Sequence, residues 1–149
     1  MKEDIKPYLN QKVAENMGKI LTLQNDLAEQ ERKYEKQIDD VFEDLLTVID
    51  TFEKSEELIK EKGWDQDENA SKAIRRLLNA KRRALSTLEK FNVKKLEFPE
   101  GILDENTCST VDSEPDANRK DDEIISIEKD GYTRNGHLIR RAEVVIVKN

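Results

Sequence analysis

Apolar residues recur at alternating steps of four and three from Val13 onward, through Met17, Ile20, Leu27, Tyr34, Ile38, Val41, Leu45 and Val48 to Phe52. Only Gln24 and Glu31 interrupt this seam with polar groups. An ordinary amphipathic helix drifts away from a seven-residue repeat, so so persistent a seam predicts a coiled coil. A helix from about Asn10 to Lys62 would be roughly 80 Å long at ~1.5 Å per residue. A lone helix of that length cannot bury its seam, and a second copy of the chain is implied. Pro7 can stand before or within the first turn, and Gly63 in EKGW is a natural stop.

Composition agrees with a rod rather than a ball. Charged residues make up 40% of the 149 and aromatics 5%, which leaves little large apolar surface for a central core. The formal net charge of −7 argues against general nucleic-acid binding, which needs clustered positive charge. A single cysteine, Cys108, suits a reducing compartment, and no apolar stretch has the length of a membrane span or the form of a signal peptide. The expectation is a cytoplasmic protein with no membrane partner.

Farther along, Phe42, Leu46 and Ile49 add a second apolar column beside Val41, Leu45, Val48 and Phe52. A two-stranded coil needs a narrow stripe, whereas a four-helix bundle needs this wider face. The segment from Glu68 to Val93 supplies a second helix, with Ile74, Leu77, Leu78, Leu85 and Leu88 on one face and only Lys81 polar among them. Asp67 or Asn69 can cap its start and Asn92 can end it. Beyond Asn92 the period switches from helical to alternating. VKKLEF, IISIEKDGY, HLIRR and AEVVIVK read as strands, and Asn135-Gly136 is the favoured two-residue hairpin turn. The polar stretch from Leu103 to Glu123 reads as a long loop with one short strand near Cys108 to Val111. The predicted fold is α+β: a coiled-coil rod over 1–40, a dimeric four-helix-bundle segment over 41–92, and a small, mostly β domain over 93–149. The rod before about Tyr34 should be the first part to open on heating, since it carries Gly18 and the polar seam positions.

Several groups invite a chemical reading and fail it. His137 is the only histidine, so no multi-histidine metal site exists, and Cys108 lacks neighbours of the kind that activate a nucleophile. DQDENA imitates the opening of a calcium loop, but Ala70 replaces its glycine and Arg76 its bidentate glutamate. The basic stripe Arg75, Arg76, Arg82 and Arg83 and the acidic run Asp121 to Glu123 read as solvated surface. Arg140 and Arg141 occupy adjacent strand positions, face opposite sides, and cannot share one job. No enzyme, metal or cofactor is indicated.

The C-terminal stretch has Gly131-Tyr132, Gly136, Ile139-Arg140, Ala142, Val144 and Ile146 in fixed spacing, and FEDLLTVIDTFEKSEE and IRRLLNAKRRALSTLEKFNVKKL lie upstream. In these segments the chain resembles the GrpE family, the nucleotide exchange factors of the DnaK chaperone. The resemblance covers about Phe42 to Lys148. It implies a homodimeric exchange factor that binds the ATPase domain of a DnaK-type chaperone and accelerates ADP release. It also implies a partner-facing surface at His137, Leu138, Arg140 and Ile146. The seam and the apolar face of the second helix, read from the residues themselves, predict a dimer interface at Ile20, Leu27, Tyr34, Ile38, Val41, Leu45, Val48, Phe52, Ile74, Leu77 and Leu85. Cys108, Thr110 and His137 stand where the family usually has His, Ala and Arg. The other reading is a dimeric scaffold or adaptor whose β-domain binds a protein that is not a chaperone.

Overall fold

The computed structural model describes the backbone of residues 2–149 and the side chains of residues 5–149. Helix α1 spans Lys2–Lys62, a single 3-10 turn spans Trp64–Gln66, and helix α2 spans Glu68–Lys90. Six strands follow: β1 Val93–Lys95, β2 Cys108–Glu114, β3 Ile124–Lys129, β4 Tyr132–Arg134, β5 His137–Arg140 and β6 Ala142–Val147. The chain is thus α+β, with a long N-terminal helix, a second helix and a small C-terminal β-domain. Pro7 lies inside α1, which begins earlier than expected. The ring removes one backbone donor, and the helix-forming residues on either side carry the helix across it.

The contacts divide the chain into two compact units, residues 1–38 and 39–149. In the first unit, local pairs support the helix surface: Lys12 with Glu15 at 2.8 Å and Lys33 with Glu29 at 2.8 Å. Its seam residues are all open in the single chain, with Ile20, Leu27, Tyr34 and Ile38 exposed.

In the second unit, punctuation follows local chemistry. Gly63 ends α1 in the left-handed conformation at φ 66°. Asp67 caps α2 by accepting a bond from the Ala70 amide at 2.8 Å, so DQDENA is a helix start. Asn92, at φ 59°, turns the chain out of α2 into β1. Lys81, the polar member of the α2 face, is mostly buried and reaches Glu56 at 3.0 Å and Glu53 at 3.6 Å on α1. Those carboxylates let an ammonium stand on an otherwise apolar face.

Two three-stranded sheets form the β-domain. One has the order β1-β4-β5 and is antiparallel; the other has the order β2-β6-β3, with β2 parallel and β3 antiparallel to β6. β2 runs through Glu114, longer than the short strand expected, and β1 stops at Lys95, shorter than VKKLEF suggested. As an edge strand, β2 buries only Cys108 and leaves a mostly polar remainder, with Val111, exposed or partly exposed, so hydropathy does not mark it. Gly131 sits where a Cβ would come within 2.6 Å of both the Ala142 amide nitrogen and Leu96 Cδ1.

Two cores result. Phe42, Leu46, Ile49, Leu88, Val93 and Tyr132 form one, which joins α1, α2 and the first sheet. Cys108, Ala142, Val144 and Ile146 form the other, inside the second sheet. The two apolar columns of α1 therefore have different destinations. Phe42, Leu46 and Ile49 are used within the chain, while Val41 and Val48 remain exposed.

Candidate docking surface: the clamped hairpin

Asp39 and Asp50 lie eleven positions apart on α1, close to three helical turns, and so share a face. Phe42, Leu46 and Ile49 lie between them on that face and are buried. A carboxylate thus marks each end of an apolar patch, and the β4–β5 hairpin seats on it.

At one end, Arg134 Nε donates to Asp39 Oδ1 and His137 Nε2 donates to Asp39 Oδ2 at 2.8 Å. A carboxylate only accepts, which assigns a proton to Nε2 of the imidazole. Partial burial works to raise the Asp39 pKa, but the bonds and charges of Arg134 and His137 outweigh it and hold it below its ordinary value. At the other end, Arg140 Nη1 and Nη2 each donate to one Asp50 oxygen at 2.8 Å, a bidentate pair. Arg140 Nε donates to the Asp130 carbonyl at 2.9 Å, and the guanidinium lies over the Tyr132 ring at 5.3 Å. Burial first, then the nearby Asp130 and Glu53 carboxylates, push the Tyr132 hydroxyl up to about 12.

The turn between the two arms is fixed as well. Asn135 and Gly136 take φ of 51° and 84°, both positive as a tight hairpin requires. The Asn135 amide donates to the Asn92 carbonyl at 3.2 Å, and Asn92 Nδ2 donates to Asn135 Oδ1 at 3.1 Å. The end of α2 thereby ties down the tip.

The four positions expected to face a partner separate into two pairs. His137 and Leu138 are exposed, with the His137 side chain 47% accessible. Arg140 and Ile146 are 6% and 5% accessible. Arg140 is spent on Asp50, and Ile146 belongs to the central strand of its sheet, flanked by β2 and β3. Neither presents a surface to a second molecule as the chain stands. Arg141, next to Arg140, is exposed, as opposite-facing neighbours require. Among the expected dimer positions, Ile20, Leu27, Tyr34, Ile38, Val41, Val48 and Leu77 are exposed. Leu45, Phe52, Ile74 and Leu85 are partly covered, Leu45 and Leu85 by the core under the hairpin.

Sequence reading missed Asp39, Arg134, Asp130 and the Asn92–Asn135 pair. The one available signal was the presence of two carboxylates flanking an apolar face at three-turn spacing. No helix among the described residues is long and apolar enough to cross a membrane.

A two-helix support carrying a small β-domain, with a hairpin ion-paired to the longer helix, defines an α+β protein built around a clamped protrusion. The chain belongs to the GrpE family, which it matches over residues 2–148, nearly its whole length. That family comprises the nucleotide exchange co-chaperones of DnaK. Among curated proteins no match to the chain is found.

Proposed function

We propose that this chain is a homodimeric nucleotide exchange factor acting in the cytoplasm, which accelerates ADP release from the ATPase domain of a DnaK-type chaperone. The family match supports the partner. The exposed seam from Val13 to Val48 supports dimerisation, because this much unpaired apolar stripe on one helix needs a second helix. The α1 seam forms a parallel coiled coil, and Val41, Val48 and Leu77 join a four-helix bundle between two protomers.

The mechanism needs no reacting side chain. The factor binds the open form of the ATPase domain more tightly than the closed, ADP-holding form, and the difference in affinity shifts the population toward open. A protrusion that moved freely could not impose such a preference. The observation that carries the reading is the hairpin's attachment to α1 at both ends, through Asp39 and Asp50, with His137 and Leu138 left outward. The contact surface is accordingly His137 and Leu138, with Arg140 holding the hairpin to α1 from within and Ile146 buried in the core of the second sheet.

Retention of a purified DnaK-type chaperone on the immobilised protein, with and without ATP, tests this. An exchange factor releases its partner when ATP is added. Retention indifferent to ATP, or none, transfers the function to the scaffold reading.

A further inference from the structure

Arg134 and His137 are register partners that close the two-residue turn of the hairpin. One carboxylate, Asp39, spans them, with Arg134 on one oxygen and His137 on the other. The two donors differ in exposure: the Arg134 side chain is 7% accessible and that of His137 47%. Asp39, at 22%, lies between them. The arrangement is a graded relay from a buried guanidinium to a half-open imidazole.

Arg134 anchors the carboxylate; its guanidinium also lies over the Phe42 ring at 5.9 Å, inside the core under the hairpin. Asp39 in turn fixes His137. An imidazole on an exposed edge strand ordinarily samples several rotamers, and ordering it on contact with a partner costs affinity. With Nε2 committed to Asp39, the ring is held in one orientation and its Nδ1 edge is the part left for a second molecule.

We infer that Asp39 is a positioning residue for nucleotide exchange, acting through His137 and not by touching the partner itself. The inference rests on the exchange reading above and adds to it a residue on α1, outside the β-domain. Asp50 has a different task, since its partner Arg140 is buried and offers nothing outward. Two carboxylates on one helix face therefore divide the work, Asp50 holding the hairpin down and Asp39 aiming its exposed side chain.

The test is a double-mutant cycle with Asp39→Asn, His137→Ala and the pair together, in the full-length protein. The readout is the protein concentration giving half-maximal acceleration of ADP release from a DnaK-type chaperone. Asparagine keeps the size of the side chain, and helix content and melting temperature confirm that each variant folds. Asp39→Asn should raise the half-maximal concentration about tenfold, the effect of one charge-assisted hydrogen bond. In the His137→Ala background the same change should have little further effect, because the residue it aims is gone. A purely structural role for Asp39, exerted through Arg134, would give the same loss in both backgrounds and overturn the inference. So would an Asp39→Asn variant as active as the parent. An inert parent chain would overturn the exchange reading, and this inference with it.

Discussion

Replacing Asp50 by alanine leaves the Arg140 guanidinium buried without its carboxylate. Arg140 is 6% accessible and Asp50 16%, so water cannot readily take the place of the lost partner. Both terminal nitrogens of Arg140 are bonded to Asp50 at 2.8 Å, and both lose their acceptors together. Removing one member of a buried pair typically costs about 3–5 kcal/mol. Here the loss belongs at the lower end, about 3 kcal/mol, because Nε keeps the Asp130 carbonyl and the plane keeps its place over Tyr132. Urea unfolding followed by circular dichroism, at one fixed protomer concentration, measures it. Exchanging both members together, Asp50→Leu with Arg140→Met, should restore much of the loss, since the desolvation cost of the pair disappears along with its attraction. A loss below about 1 kcal/mol for Asp50→Ala, the range of exposed pairs, would refute the claim that this pair is buried and holds the hairpin.

Leu46→Ala should cost about 2–5 kcal/mol in the same assay, as a fully buried leucine in the core under the hairpin. Val48→Ala, on the exposed column, should instead weaken self-association, seen as a lower dimer fraction in sedimentation equilibrium. Gly131→Ala should destabilise the β-domain, because a methyl group meets the Ala142 backbone at 2.6 Å; an unchanged melting temperature would mean the approach is looser. Asp39 contributes pH-dependent stability. Its folded pKa lies below the unfolded value near 3.8, so the contribution is complete above that value and is lost as pH falls through the folded one. Acid unfolding should therefore lose part of its steepness below about pH 4 in Asp39→Asn. On heating, the segment before Tyr34 should lose helicity before the rest, and a single transition matching that of a chain lacking residues 1–33 would contradict this.

What could be read from the sequence was what period and local chemistry govern. The heptad seam predicted the long helix because a repeat of that regularity has few other uses. Gly63, Asn92 and Asn135-Gly136 marked turns because those residues tolerate positive φ, and all four adopt it. Strand β2 is longer than its residue pattern indicates, because Ser109, Thr110, Asp112 and Ser113 show no apolar alternation. It is held by backbone pairing to β6, which side-chain type does not report. The two columns on α1 looked like one broad bundle face. Nothing local tells Phe42, Leu46 and Ile49, which meet the chain's own hairpin, from Val41 and Val48, which do not. The Asp39 and Asp50 pairings cross some ninety residues, and only the fold brings their partners near. Ile146 holds the strand position that the motif gives it, and its side chain is buried in the core of the second sheet.

The most direct test of the account is release of a fluorescent ADP analogue from a DnaK-type chaperone, followed by stopped flow with the parent chain and with Leu138→Asp. Leu138 is exposed on β5 and contributes to neither core, so this variant should fold and dimerise like the parent. The account predicts a large acceleration by the parent and a strong loss with the aspartate, which puts a charge on the proposed contact surface. Equal acceleration by both would place the contact away from the hairpin, and no acceleration by the parent would contradict the exchange function itself.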